Sequence, residues 1–176
     1  NGYVAGATVF QDLNGNNKWD EGEPKTETGE DGSFTLKEQL GSKAPIVILG
    51  GTDLSTGLAY SNILKAPPGA TAITPLTTLV SALMASGKSQ ADAEAAVLKA
   101  FDLPAGTKLL KFDPVARAEG ADTQELAVKI KAAGVLVAVF AVAYRAHVLR
   151  QRRRLGAAMR SSGRILHTRE APPRGL

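Results

Sequence analysis

Short β-branched or alternating runs fill the first third of the chain. "YVAGATVFQ", "SFTLKE", "APIVILGG" and "LAYSNILKA", between residues 3 and 66, are each bounded by Gly, Pro, Asn or Asp, the punctuation of strands and tight turns. In "SFTL" the alternation assigns Phe34 and Leu36 to one face, with Ser33 and Thr35 on the other. The preceding "GEDG", Gly29 to Gly32, is a turn signal, because glycine accepts positive φ without steric cost. Short strands at this density predict a small antiparallel sandwich.

The period changes after "KAPPGATAITP", residues 65 to 75. Thr74 and Pro75 suit the cap and first-turn positions of a helix. Leu76, Leu79, Val80, Leu83 and Met84 then follow at the spacing of one buried helical stripe. Gly87 predicts the end of that helix, and Ser89 with Asp92 the cap of the next, whose stripe is Ala93, Ala96, Val97, Ala100 and Phe101. The two stripes of this helical hairpin must bury against something, and the sandwich or a following helix are the available surfaces. Asp113-Pro114 opens a short helix that Gly120 would terminate, and Asp122 with Glu125 opens a longer one.

Charge divides the chain in the same direction. Residues 1–136 carry 12 Lys+Arg against 16 Asp+Glu, while residues 137–176 carry 9 against 1, so the net +4 of the whole is a property of the tail. The body uses lysine almost throughout, whereas every basic residue of the tail is arginine. The tail reads as a solvated, largely disordered extension, or as the product of reading GC-rich DNA out of frame. Asn1 stands where an initiator methionine would, so the sequence reads as an excerpt of something longer.

The absence of cysteine excludes a disulfide framework, a thiolate metal site and a cysteine nucleophile. Both histidines, His147 and His167, lie in the tail, so residues 1–146 hold neither a Ser-His-Asp triad nor a histidine-ligated zinc. "ALMASGKS", residues 82 to 89, resembles a phosphate-binding loop only superficially. Ala82 replaces its first glycine, and a helical stripe precedes it where a strand is required. No carboxylate pair is singled out for glycoside hydrolysis. "AAGVLVAVFAVAY", residues 132 to 144, falls short of the roughly 20 residues that span a bilayer, so a core helix is the expected reading and a membrane anchor is disfavoured.

The stretch that carries chemistry is "FQDLNGNNKWDEGEP", residues 10 to 24. Calcium takes six to eight oxygen ligands, which a loop supplies at alternate residues before closing with a bidentate carboxylate. Counted from Asp12 as the first position, Asn14, Asn16, Lys18, Asp20 and Glu23 fall at the third, fifth, seventh, ninth and twelfth. Lys18 offers only its backbone carbonyl. Asn17 occupies the sixth position, where the EF-hand pattern has glycine, and asparagine is, after glycine, the residue most tolerant of the same left-handed conformation. The flanks are strand-like, and Pro24 forbids a helix leaving the loop, so this is an EF-like loop between strands. Trp19 is expected to anchor the loop on the hydrophobic core.

"GATVFQDLNGNNKWDEGEPKTETGEDGSFTL" resembles the opening of calcium-binding prealbumin-like or B-type β-sandwich modules of large bacterial surface adhesins: a strand, D-x-N-x-N-x-x-x-D-x-x-E, then a hairpin ending in D-G-x-F. "ITPLTTLVSALMASG" with its following helix is similar to helical segments that accompany such domains in bacterial surface and RTX-type proteins. The resemblance implies an extracellular, calcium-stiffened, non-catalytic module, with ligands carried onto Asp12, Asn14, Asn16, Asp20 and Glu23.

The expected fold is α+β. Residues 1–70 form a β-sandwich calcium module, 71–136 a helical subdomain, and 137–176 an apolar helix end with an Arg-rich tail. The expected cofactor is calcium. Expected partners are neighbouring domains of the parent chain and surface glycans or proteins, without nucleic acid. The rival expectations are an accessory module of a secreted polysaccharide-active enzyme and a membrane-anchored surface protein.

Overall fold

Glycines divide two long extended runs into four strands, and that division gives the β region its form. The computed structural model describes residues 2–115 and 124–137. Strands β1 (Val4–Ala5) and β2 (Thr8–Gln11) are one run interrupted at Gly6, whose φ is +62°. Strands β4 (Ile46–Leu49) and β5 (Thr52–Asp53) are likewise one run interrupted at Gly50 and Gly51, with φ of +68° and +86°. β1 pairs antiparallel with β5 and β2 with β4 in a single continuous register, Val4 opposite Asp53 and Thr8 opposite Leu49. The two runs therefore bend together and contribute to two sheets.

The larger sheet has the order β3-β2-β4-β7, with β3 at Lys25–Glu27 and β7 at Leu64–Ala66; the smaller is β1-β5-β6, with β6 at Leu58–Ala59. All pairings are antiparallel. In the larger sheet one transverse row is Thr26, Val9, Ile48 and Leu64, and the next is Lys25, Phe10, Val47 and Lys65. Adjacent rows point to opposite faces. The first row meets the main core; the second carries two lysines flanking the fully buried Phe10 and Val47.

The expected helices form where their caps are written. Helix α1 (Pro75–Ala85) starts at a reciprocal capping box in which Thr74 Oγ1 accepts from Thr77 N–H and Thr77 Oγ1 accepts from Thr74 N–H. Gly87, at φ +99°, ends it: Gly87 N–H donates to the Met84 carbonyl and Lys88 N–H to that of Leu83. Ser89 then caps α2 (Gln90–Ala100). The residues of the phosphate-loop look-alike thus end one helix and begin the next. Leu76, Val80, Ala93 and Val97 bury as their stripes predict, but Ala100 is exposed and Leu98 takes a core place instead.

Residues 124–137 are helical, with Ala127 buried, and Ile130 and Ala133 join the same core as α1, α2 and the Val9 face of the sheet. One core is therefore shared by strands and helices, and the fold is mixed α+β. Helix α1 packs on both β7 and α2. Of the short helix expected between Asp113 and Gly120, Pro114 and Val115 form a bend and residues 116–120 lie outside the described residues, as do Asp122, both histidines and the tail from residue 138. Among the described residues no helix is long and apolar enough to cross a membrane.

One expectation about the β region needs correction, and one strand forms where no pattern marks it. Ser33–Gln39 buries its residues alternately, with Phe34 and Leu36 packed against the core, yet it joins no ladder. Its end is tied through side chains instead: Gln39 N–H donates to Gln11 Oε1 at 2.7 Å, and Glu38 accepts from Gly69 N–H. The strand that pairs with β2 is "KTE", a stretch without hydrophobic alternation.

Candidate metal-binding loop

Residues 12–24 connect β2 to β3, so the acidic stretch is the loop of a β-hairpin. Its neck is closed on both sides: Gln11 N–H donates to the Pro24 carbonyl and Asp12 N–H to the Pro45 carbonyl, each at 3.0 Å. These bonds fix Asp12 at the end of β2, where its side chain is fully buried.

Inside the loop the expected ligand residues meet one another. Asn14 and Asn16 both donate side-chain amide hydrogens to Oδ2 of Asp20, at 2.7 and 2.6 Å. Their carbonyl oxygens accept from the backbone two residues on, Asn16 N–H and Lys18 N–H, which makes two consecutive Asx turns. Glu23 closes the loop with both carboxylate oxygens, one accepting from Leu13 N–H at 2.8 Å and the other from Asp20 N–H at 3.1 Å. Asp12 Oδ2 accepts from Asn17 N–H at 3.1 Å. Asn17 has φ +62°, so it adopts the left-handed conformation required where the EF-hand pattern has glycine.

The grouping is therefore Asn14, Asn16 and Asp20 on one oxygen, with Asp12 and Glu23 gripping the loop's amides. Lys18 is exposed and contributes its N–H to the turn. Among the described residues no three His, Cys, Asp or Glu side chains are disposed to hold a metal ion by themselves. Asn14 and Asn16 turn their amide nitrogens to Asp20 and their oxygens to the backbone, so a cation would take the place of the Nδ2–H bonds with those oxygens turned inward; every group able to ligate offers oxygen, which suits a hard cation.

Two oxygens in the loop are unbalanced. Asp12 Oδ1 is buried and has no hydrogen-bond partner, and the same is true of Asn17 Oδ1 beside it. The nearest cation is Lys65 of β7, 3.8 Å from Asp12 Oδ2, a separation that allows an ion pair but no hydrogen bond. A buried carboxylate oxygen without a donor is destabilising by about 1–3 kcal/mol or more. Of the two, Asp12 Oδ1 belongs to a residue in calcium register, and a bound cation would satisfy it.

Trp19 sits differently from its expected place. Its ring is 39% exposed and lies over Lys25 Nζ, 3.9 Å from the centroid, while Nε1 donates to the Glu23 carbonyl. It fastens the loop to the returning strand β3, because its indole N–H finds a partner there that an apolar core lacks.

The hydrogen bonds from Asn14 and then Asn16 hold the Asp20 carboxyl below its ordinary 3.8, helped by Lys18 and against a small opposing effect of burial. Asp31 and Asp53 are also held low, chiefly by the hydroxyls and amides of Ser33 and Ser55 respectively. All three fold with depressed values, so each contributes stability that is complete above its unfolded value and is lost as pH falls through its folded one. Thermal midpoints measured in chelator should hold steady above about pH 5 and fall on further acidification through the carboxylate range. A midpoint unchanged down to about pH 2 would contradict this assignment.

A separate cleft of about 480 Å³ lies between the sheet and the helical layer, lined by Val4, Phe34, Ile48, Leu64 and Ile130 among others. At its rim the Tyr3 hydroxyl donates to Asp113 Oδ2 at 2.9 Å. Burial, with Asp113 and Asp31 adding to it, pushes the Tyr3 phenol up. No known family model matches the chain, and neither curated proteins nor solved structures include a significant match.

Proposed function

We propose that the chain is a non-catalytic, calcium-stabilised structural or adhesion module of a secreted or cell-surface bacterial protein, built as a β-sandwich with a helical subdomain. Asp12, Asn14, Asn16, Asp20 and Glu23 supply side-chain oxygens to the ion, and Lys18 its carbonyl. The observation that carries this reading is the buried, unpartnered Oδ1 of Asp12 at the neck of a loop whose oxygens follow calcium register. A solvated turn has no reason to bury a carboxylate oxygen away from every donor.

Calcium would join the end of β2 to the start of β3 and relieve the repulsion among Asp12, Asp20 and Glu23. Because the unfolded chain holds no such arrangement, its binding energy becomes folding energy. Millimolar extracellular calcium suffices for weak modular sites of this kind. Titration calorimetry should show a single calcium-binding event, and the thermal midpoint should be higher in millimolar calcium than in chelator. Magnesium, which demands a near-ideal octahedron and keeps its waters, should give a smaller shift. Equal midpoints in calcium and chelator would rule the proposal out.

A further inference from the structure

We infer that Lys65 is a resident counter-ion of the loop, which lowers its calcium affinity and must leave Asp12 when the ion enters. The inference rests on the calcium reading above. Lys65 comes from β7, on the far side of the sheet from the loop's own hairpin partner, and no local spacing relates it to Asp12. Register places it there. Lys65 lies opposite Val47 and Val47 opposite Phe10, while Asp12 follows Phe10 by two residues and so shares its face.

The lysine backbone is held firmly. Its N–H donates to Thr78 Oγ1 at 2.9 Å, and its carbonyl accepts from the Thr77 hydroxyl at 2.9 Å, both at the first turn of α1. The side chain is 27% exposed, with Nζ 3.8 Å from a carboxylate whose own side chain is fully buried. A divalent ion on Asp12 would stand within a few ångströms of that ammonium, at the buried end of the loop, where water screens the repulsion less than it does at the exposed Asn14, Asn16 and Asp20. The backbone cannot follow an outward movement, so the ammonium swings to solvent about its flexible stem. Lys65 thus sets the affinity of a site to which it contributes no ligand, and it links the ion to the strand on which α1 packs.

The test compares calcium affinity, by titration calorimetry on the full chain, for the unaltered protein, Lys65→Met, Lys65→Gln and Lys65→Arg. Removing the charge should tighten binding about tenfold, while Lys65→Arg should stay within about twofold of the original. Equal affinity in the neutral variants, or weaker binding, would show an ordinary ion pair and overturn the inference while leaving the calcium site intact. Absence of calcium binding by all four proteins would instead overturn the calcium reading, and this inference with it. A second measurement needs no variant: acetylation of Lys65 in the unaltered protein, followed by mass spectrometry, should accelerate on adding calcium relative to the other lysines. An unchanged rate would count against displacement.

Discussion

Asp12→Asn should abolish most of the calcium-dependent rise in thermal midpoint while leaving the midpoint in chelator within a few degrees of the original. The contrast between the two conditions is what makes the result decisive. Asparagine is isosteric with aspartate, and its Oδ1 can still accept the bond that Asn17 N–H now gives to Asp12 Oδ2. Lost in chelator are the 3.8 Å attraction to Lys65 and a buried oxygen that has no donor, effects of opposite sign. Lost in calcium is the carboxylate nearest the strand end. At a calcium concentration one hundred times the dissociation constant, a single site stabilises the native state by about 2.7 kcal/mol. For a chain of this size that is a rise of roughly 5–10 °C in the unaltered protein. If Asp12 only shapes a polar turn, the variant should change both midpoints equally, and differential scanning calorimetry distinguishes the two cases. Glu23→Gln is the weaker probe, because Glu23 spends both oxygens on the amides of Leu13 and Asp20 and its loss would loosen the loop in either condition.

The helices and the loop were more legible in the sequence than the sheets, and the reason lies in range. Thr74-Pro75, Gly87 and Ser89 act on backbone groups within a few residues, so cap and terminator can be read directly. The loop's Asx turns are equally local, and they carry Asn14 and Asn16 to Asp20 within a span of a few positions. Strand pairing is not local. "SFTL" alternates as a strand should, and its burial follows, but it pairs with none of the strands in either sheet. "KTE" pairs because the hairpin loop returns it to β2, although it has no pattern of its own. At the last turn of α2 Leu98 is buried where the stripe predicts Ala100, a shift that periodicity alone does not fix. The Lys65 contact with Asp12 depends on the order of four strands, and no spacing in the sequence encodes it.

The bend at Gly51 yields the prediction with the largest effect on folding. Gly51→Ala should destabilise the domain by about 3–5 kcal/mol, enough to prevent recovery of folded protein if the domain is only marginally stable. Two independent penalties combine. Gly51 has φ +86°, a conformation that disfavours any residue bearing a Cβ by about 1–2 kcal/mol. An added Cβ would also stand 2.6 Å from the Ala5 carbonyl oxygen and 2.9 Å from both Ala7 N and Ala7 Cβ. These neighbours are mostly backbone and cannot rotate away. Ala7 is moreover fixed by two bonds to Thr28, its N–H donating to Thr28 Oγ1 and its carbonyl accepting from Thr28 N–H. Gly50, next in sequence, serves as the control. Its φ is also positive, at +68°, but a Cβ there would meet nothing within 4 Å, so Gly50→Ala should incur only the conformational penalty. Chemical denaturation of the two variants separates the terms. A Gly51→Ala protein no less stable than Gly50→Ala would mean that the two extended runs do not cross as closely as they do here, and the continuous register from Val4 to Gln11 would have to be redrawn.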